Sequence, residues 1–377
     1  MTFTELGIPP PLVDALAKNH ITEPMPIQTA AVSLLLAGKD AYLNSETGTG
    51  KTLAYLLPLF CRIDPAVPEL QGIIMAPTHE LAIQIQRVAG ALAQNSGLPI
   101  RTILLIGGTA LPRQLEKLKK KPHLAIGSPG RIRDLIIMKK LKTQAVRGVV
   151  IDEADRLLAD ESLASVRAIL YATPRTRQVI FASATEHDKT SAAAATLAPD
   201  IAMIRAGATP VNSNIEHLYL VCEERDKPEL LRKLIHALDP ERAIVFVHRN
   251  EKAEVIVGKL IFHKLPASDL HGAYDKSERK KAMDDFRAGT TRILIASDIA
   301  ARGLDIAGVT HIFNVDVPSE SKAYLHRVGR TARAGAKGHA ISLMTEPELR
   351  LVKRFETELG IKLSRIILQE GEVLVVE

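Results

Sequence analysis

Cysteine is nearly absent from this chain: Cys61 and Cys222 are the only two in 377 residues, far apart and in no Cys-x-x-Cys or His-rich spacing. That excludes a disulfide framework and a thiolate zinc site, and it suits a reducing cytosol. His123 and His271 have no ligand partners at metal spacing either. Also missing are a basic start followed by an apolar core, which would mark a leader, and any run of about 18 apolar residues able to span a bilayer. A soluble, cytoplasmic protein without a membrane partner is expected. Low-complexity sequence is confined to residues 191–196, Ser-Ala-Ala-Ala-Ala-Thr, which read as helix. Extreme charged tails are lacking too. The net charge of +6 and pI near 9.2 favour a polyanionic partner only modestly, and solubility alone accounts for them equally well.

What is present is enough apolar material, 46% of residues, to fill two cores. Short β-branched runs at 41–43, 72–76, 101–106, 123–126, 148–151 and 178–181 alternate with helical stretches. The rhythm pauses at 206–214, Ala-Gly-Ala-Thr-Pro-Val-Asn-Ser-Asn, a small, polar, Pro-containing segment of the kind that connects domains. It restarts with runs at 243–247, 292–296 and 311–315 and a helical stretch at 250–263. This pattern predicts two α/β domains, each a mainly parallel sheet flanked by helices. We place them at 1–207 and 217–377 with a connector at 208–216, and read 359–363 as part of the second core.

Two signatures carry the chemistry. Ser45-Glu46-Thr47-Gly48-Thr49-Gly50-Lys51-Thr52 lies between an apolar strand and an apolar helix, a Gly-rich loop that aims backbone N–H groups and a helix N-terminus at phosphate oxygens. Lys51 would reach the β/γ-phosphates and the Thr52 hydroxyl would ligate Mg²⁺. Asp152-Glu153-Ala154-Asp155 ends the apolar run 149–151, so Asp152 offers magnesium a carboxylate, directly or through water. Glu153 is placed to orient or deprotonate the attacking water. Alone, the loop has a bland alternative, a turn capping a core helix, and the acidic cluster alone reads as ordinary charge at a helix start. Their order, each after a buried-type strand, argues for a nucleotide site.

The second half has no phosphate loop. It has His326-Arg327-Val328-Gly329-Arg330-Thr331-Ala332-Arg333, three guanidiniums in one short segment. Such a cluster is either a solvated face or a set of arginine fingers that stabilise phosphoryl-transfer charge when a cleft closes. The run Lys117-Leu118-Lys119-Lys120-Lys121 reads as a solvated helix face away from these motifs.

With these motifs in this order the chain resembles the DEAD-box RNA helicases of superfamily two, from Phe3 to about Met344. The resemblance implies two tandem RecA-like domains with ATP and RNA bound in the interdomain cleft. It makes Gln28 an adenine-reading residue, with Phe3 upstream. Ile21 stands where an aromatic is usual, and Met25 replaces Thr. Pro77, Thr78, Gly108, Pro129, Gly130 and Arg131 match first-domain RNA loops, with His79 for the usual Arg and Ser128 for Thr. Gly272, Ser297, Arg302 and Gly303 match those of the second domain. Lys276, Ser297 and Ala332 replace the usual Gln, Thr and Gly. The resemblance also gives Asp305 to the ribose of ATP, Arg330 and Arg333 to the γ-phosphate, and Asp155, Ser183, Thr185 and His326 to coupling hydrolysis with strand separation.

A DNA translocase is disfavoured because the acidic motif ends in Asp155 rather than His. A non-catalytic clamp is disfavoured because Lys51, Thr52, Asp152, Glu153, Arg330 and Arg333 are all present. The expected partner is RNA of little sequence specificity, bound by a monomer of bacterial, core-only type. Ribosome assembly or other ribonucleoprotein work is the family's usual setting.

Overall fold

The computed structural model describes residues 1–45, 49–184, 188–205, 213–270, 276–301, 306, 308–332 and 336–376. The chain divides into two compact units, Met1–Ala208 and Thr209–Glu377.

The first unit opens with α1 (Pro10–Ala17) and α2 (Pro26–Leu36), then β1 (Ala41–Asn44) and α3 (Lys51–Arg62). β2 (Gly72–Met75), α4 (His79–Ser96), β3 (Thr102–Leu105), α5 (Leu111–Leu118), β4 (Leu124–Gly127) and α6 (Pro129–Ile137) follow. It closes with β5 (Gly148–Asp152), α7 (Ala154–Leu157), α8 (Asp160–Tyr171), β6 (Gln178–Ser183), α9 (Asp188–Leu197) and β7 (Ala202–Arg205). The strands form one sheet in the order β3-β4-β2-β5-β6-β1-β7, every pair parallel. Helices cover both faces, so β1, β2, β4, β5 and β6 are apolar along nearly their whole length rather than alternating. Two apolar clusters separate across the sheet: Leu43, Ile74, Ile126, Val150 and Ile180 point to one face, and Tyr42, Ile73, Ala125, Ile151 and Phe181 to the other. Parallel pairing places the ends of β1, β2, β4, β5 and β6 on one edge. There Asn44 lies beside Ser183, and Asp152 beside Ala182. At the end of β4 a Cβ on Gly127 would lie 1.9 Å from the carbonyl oxygen of Leu105, so no other residue fits.

The second unit runs β8 (Ile215–Val221), α10 (Lys227–Leu238), β9 (Ala243–Phe246), α11 (Asn250–Phe262), β10 (Ala267–Asp269) and α12 (Lys276–Ala288). Then come β11 (Ile293–Ala296), α13 (Asp298–Ala301), β12 (His311–Asn314), α14 (Ser321–Val328), β13 (Gly338–Met344), α15 (Arg350–Leu359), β14 (Leu363–Gln369) and β15 (Glu372–Val376). The sheet order is β10-β11-β9-β12-β13-β8-β14-β15, parallel except for the terminal β14–β15 hairpin. Residues 215 and 216, expected in the connector, are the first two of β8, where buried Ile215 alternates with exposed Glu216. The 359–363 segment does join the core through Leu363, and leads into β14.

Two buried histidines make this unit acid-sensitive. His217 meets the Tyr324 hydroxyl at 2.9 Å, and burial pushes its pKa down to about 4. His311 is likewise pushed down to about 4 by burial and by His339, stacked on it at 4.8 Å. An unfolded histidine titrates near 6.5, so between these values the unfolded chain binds protons that the folded unit refuses. The stability is therefore present above about pH 6.5 and lost as pH falls towards 4, by up to roughly 3 kcal/mol per histidine. Urea denaturation across this window should show the decline, and His217→Phe should flatten it; an unchanged slope in the variant would refute the assignment.

Candidate nucleotide and RNA sites

In the first unit the strand-end edge gathers the phosphate-loop and acidic residues. Ser45 is buried; its amide donates to the Ser183 carbonyl at 3.1 Å and its hydroxyl to Thr49 Oγ1 at 2.8 Å. Gly50 takes φ +87° and precedes α3, and a Cβ there would lie 2.4 Å from Gln28 Nε2. Lys51 begins α3 and its ammonium donates to the Ser45 carbonyl, holding the amine across the loop.

Asp152 ends β5 with its carboxylate buried between two donors, the Tyr55 hydroxyl at 2.8 Å and the Glu153 amide at 2.9 Å. Burial raises its pKa, against the opposing pull of the Tyr55 hydrogen bond and the Lys51 charge. Tyr55 titrates well above its ordinary range because it is buried against that carboxylate, and Thr52 hydrogen-bonds the same phenol oxygen. A carboxylate whose charge is under-compensated beside a threonine hydroxyl fits a hard cation that keeps most of its ligands as water and phosphate. Among the described residues no group of three His, Cys, Asp or Glu could cage a metal alone.

Glu153 adopts φ +49°, turning sharply out of β5 with its carboxylate 3.4 Å from Arg156. The buried Ser183 hydroxyl donates to Asp155 Oδ1 at 2.9 Å, tying β6 to the acidic motif. Gln28 is buried; its Nε2 donates to the Gly50 carbonyl at 3.0 Å and its Oε1 accepts from the Met25 amide at 2.9 Å. Here its amide braces the loop, and reading a base requires it to exchange those partners. Phe3 is a correction. Its ring is 1% exposed, packed into the core with Leu6 and Ile8, so it supports the N-terminal segment instead of touching adenine.

The loops after β2, β3 and β4 lie on the same strand-end edge. Thr78 caps α4, its hydroxyl accepting from the Leu81 amide at 3.2 Å, and Pro77 is half-buried beside it. Gly108 is exposed at φ +72°. Pro129 is buried at the start of α6, whereas the space over Gly130 is open. Arg131 reaches the Thr109 carbonyl at 3.5 Å.

In the second unit Arg330 is buried at the end of α14, its Nε donating to the His326 carbonyl at 3.2 Å. His326, Arg327 and Arg330 line a recess with Phe246, Asp298, Ala301 and Ala323. Ser297 caps α13, its hydroxyl accepting from the Ala300 amide. Arg327 is a second correction. Instead of standing among fingers it is 1% exposed and bidentate on Asp298 at 2.6 and 2.7 Å, with Asn314 Oδ1 and the Asp316 carbonyl also accepting from it. Burial alone would raise the Asp298 pKa, but Arg327 and His248 hold it well below the usual carboxylate range. Ala332 carries φ +53°, a strained conformation for a side-chain-bearing residue. Ala332→Gly should stabilise the chain by about 0.5–1 kcal/mol in urea titrations, the relief of strain exceeding glycine's entropy; a lower midpoint would contradict that. Glu46, Thr47, Gly48, Thr185, Gly272, Arg302, Gly303, Asp305 and Arg333 lie outside the described residues.

Tyr55 and Gln114 escaped the sequence reading, and Asp298, which lies in the motif that carries Ser297 and Arg302, was given no role there. A tyrosine within an otherwise apolar helix run and a glutamine on the apolar face of α5 were the available signals.

Comparison with known proteins fits this division of labour. The DEAD/DEAH box helicase family model matches residues 25–193, and the helicase conserved C-terminal domain model matches 226–335, which makes the chain a helicase. The DEAD-box ATP-dependent RNA helicase CshC of Bacillus cereus is 40% identical over 93% of this chain and 90% of its own length. The probable ATP-dependent RNA helicase YfmL of Bacillus subtilis is 39% identical over 93% of both chains. The chain belongs to the DEAD-box ATP-dependent RNA helicase family. Its two units are RecA-like: the structure of S. cerevisiae Dbp5 bound to RNA and ADP BeF3 matches with a TM-score of 0.86 at 29% identity, covering 97% of this chain and 95% of that one. Mss116p bound to ssRNA and AMP-PNP matches with a TM-score of 0.84 at 25% identity, covering 97% and 79%.

Proposed function

We propose that the chain is an RNA-dependent ATPase that separates short RNA duplexes or remodels RNA–protein complexes locally, without sequence selectivity. The observation that carries this reading is the Lys51, Thr52, Tyr55 and Asp152 arrangement beneath the phosphate loop. The first domain, 1–207, binds ATP through Gln28, residues 45–52 and Asp152, and Glu153 orients the attacking water. The second, 217–377, brings Asp305 to the ribose and Arg330 and Arg333 to the γ-phosphate. Thr52 and Asp152 would hold magnesium, which when bound neutralises charge on the β- and γ-phosphates.

RNA lies on Pro77, Thr78, Gly108, Pro129, Gly130 and Arg131 in one domain and on Gly272, Ser297, Arg302 and Gly303 in the other. ATP and RNA both favour the closed arrangement, so each raises affinity for the other. Closure on one strand excludes its complement, and hydrolysis reopens the domains. Asp155, Ser183, Thr185 and His326 carry the coupling. A monomer working in the cytoplasm on ribonucleoprotein or ribosome-assembly substrates suits this chemistry. Among the described residues no helix is long and apolar enough to cross a membrane.

The test is steady-state Mg-ATP hydrolysis without nucleic acid, with single-stranded RNA, and with DNA of the same sequence. Strong stimulation by RNA alone is expected. Equal stimulation by DNA would favour a translocase, and ATP-dependent RNA binding without turnover would favour a clamp.

A further inference from the structure

The basic run 117–121 ends the helix that leaves the Gly107–Gly108 loop, its far end lying by the start of β3, one helix length from the RNA loops. α5 begins at Leu111, immediately after Gly107 and Gly108, and its own Gln114 braces that loop. Gln114 is 2% exposed and its Nε2 donates to the carbonyls of Ile106 at 2.9 Å and Thr109 at 3.3 Å, clamping the two sides of the glycine pair. Leu111, Leu115 and Leu118 pack onto the core, which turns Arg113 and Lys117 outward. Lys119, Lys120 and Lys121 follow in an exposed turn, and the Arg101 guanidinium fixes its end by donating twice to the Lys121 carbonyl, at 3.1 and 2.9 Å.

Arg113, Lys117, Lys119, Lys120 and Lys121 stand against a single acid on this ridge, Glu116, and among the described residues none of the five makes an ion pair. A helix C-terminus attracts cations, but its dipole acts within the last turn and does not account for five. The ridge also packs beside β3, and among the described residues no strand lies outside β3 in the sheet. At about 1.5 Å per residue it is about 15 Å long, room for a few phosphates.

We infer that the α5 ridge is a second RNA contact, which takes the backbone of the strand as it leaves the Gly107–Gly108 loop and tracks it outside the cleft. This rests on the proposed RNA-binding reading of that loop. The continuity of ridge and loop, and the charge left without carboxylates, select a polyanionic strand over a neutral or basic partner. Contact is electrostatic and sequence-independent, so it lengthens the footprint without adding selectivity.

The experiment compares wild type with Lys117→Gln/Lys120→Gln/Lys121→Gln and with a charge-matched control, Lys233→Gln/Lys353→Gln/Lys362→Gln, exposed lysines of the second unit. Fluorescence anisotropy with a non-hydrolysable ATP analogue would measure binding of oligouridine of about 8 and about 24 nucleotides between about 50 and 200 mM salt. The ridge variant should lose on the order of tenfold in affinity for the long strand at low salt, with its log–log salt slope shallower by about 2, from about 0.7 per phosphate contact. Binding of the short strand, and the ATPase rate it saturates, should be unchanged, as should the control with both lengths. Unchanged affinity for the long strand would overturn the inference. So would an equal loss on both lengths, or a control that behaves like the ridge variant. Failure of wild type to bind either strand would instead sink the RNA-binding reading beneath it, and the ridge with it.

Discussion

Arg330→Ala should hydrolyse ATP on the order of 10³-fold more slowly at saturating RNA, with RNA affinity in the absence of nucleotide unchanged. The expected selectivity follows from how α14 is held. Arg327 anchors that helix through Asp298, Asn314 and the Asp316 carbonyl, whereas the Arg330 Nε donates to the His326 carbonyl and its side chain lines the recess. Deleting Arg330 therefore removes a guanidinium from the recess and leaves the Arg327 anchor in place. Because the charge it answers develops in the transition state, kcat should fall far more than KM rises. Arg330→Lys should recover only part of the rate, since an ammonium lacks the planar fork that matches phosphate oxygens. Normal turnover by Arg330→Ala would show that this arginine is not at the reacting phosphate.

Glu153→Gln should lose about 10²- to 10⁴-fold in turnover while keeping affinity for ATP and RNA. The amide fills the same volume and leaves in place the φ +49° turn and the hydrogen bond that the residue's backbone N–H donates to Asp152. What disappears is the carboxylate able to accept a proton from water. The ion pair with Arg156 goes too, but both partners are partly exposed and such pairs contribute little. Single-turnover hydrolysis should be slow, and RNA release in ATP should be slower than in wild type, because reopening depends on hydrolysis. A variant that cleaves ATP at the normal rate would remove Glu153 from the water-orienting role.

The two parallel sheets were legible because their central strands are buried on both faces and so appear as short apolar runs such as 148–151 and 243–247. β10 was not, being three residues with no pattern of their own, Ala267–Asp269, defined only by pairing with β11. β13 mixes Gly338, His339 and Ser342 with apolar residues, since its register with β12 and β8 sets it more than its composition does. At the site, residue types that carry charge could be read, but not their partners. An arginine aimed at phosphate and one buried on a carboxylate look alike in sequence, and the pairing of Arg327 with Asp298 spans 29 residues. Tyr55 and Gln114 were hidden for other reasons: Tyr55 lies in a buried apolar run that masks its polar end, and Gln114 is the one buried residue of a mostly exposed, charged helix.

The position of β8 governs how the second unit is made. Although it is the first strand of that unit to be synthesised, it lies between β13 and β14, pairing Ile215 with Gly338 and His217 with Leu363. Translation at about 5–20 residues per second leaves this strand without its neighbours for on the order of 10 s. The first unit, by contrast, has its last strand as soon as β7 emerges to pair with β1. A ribosome paused in the second half therefore carries a finished first unit and a strand whose buried face still waits for its sheet.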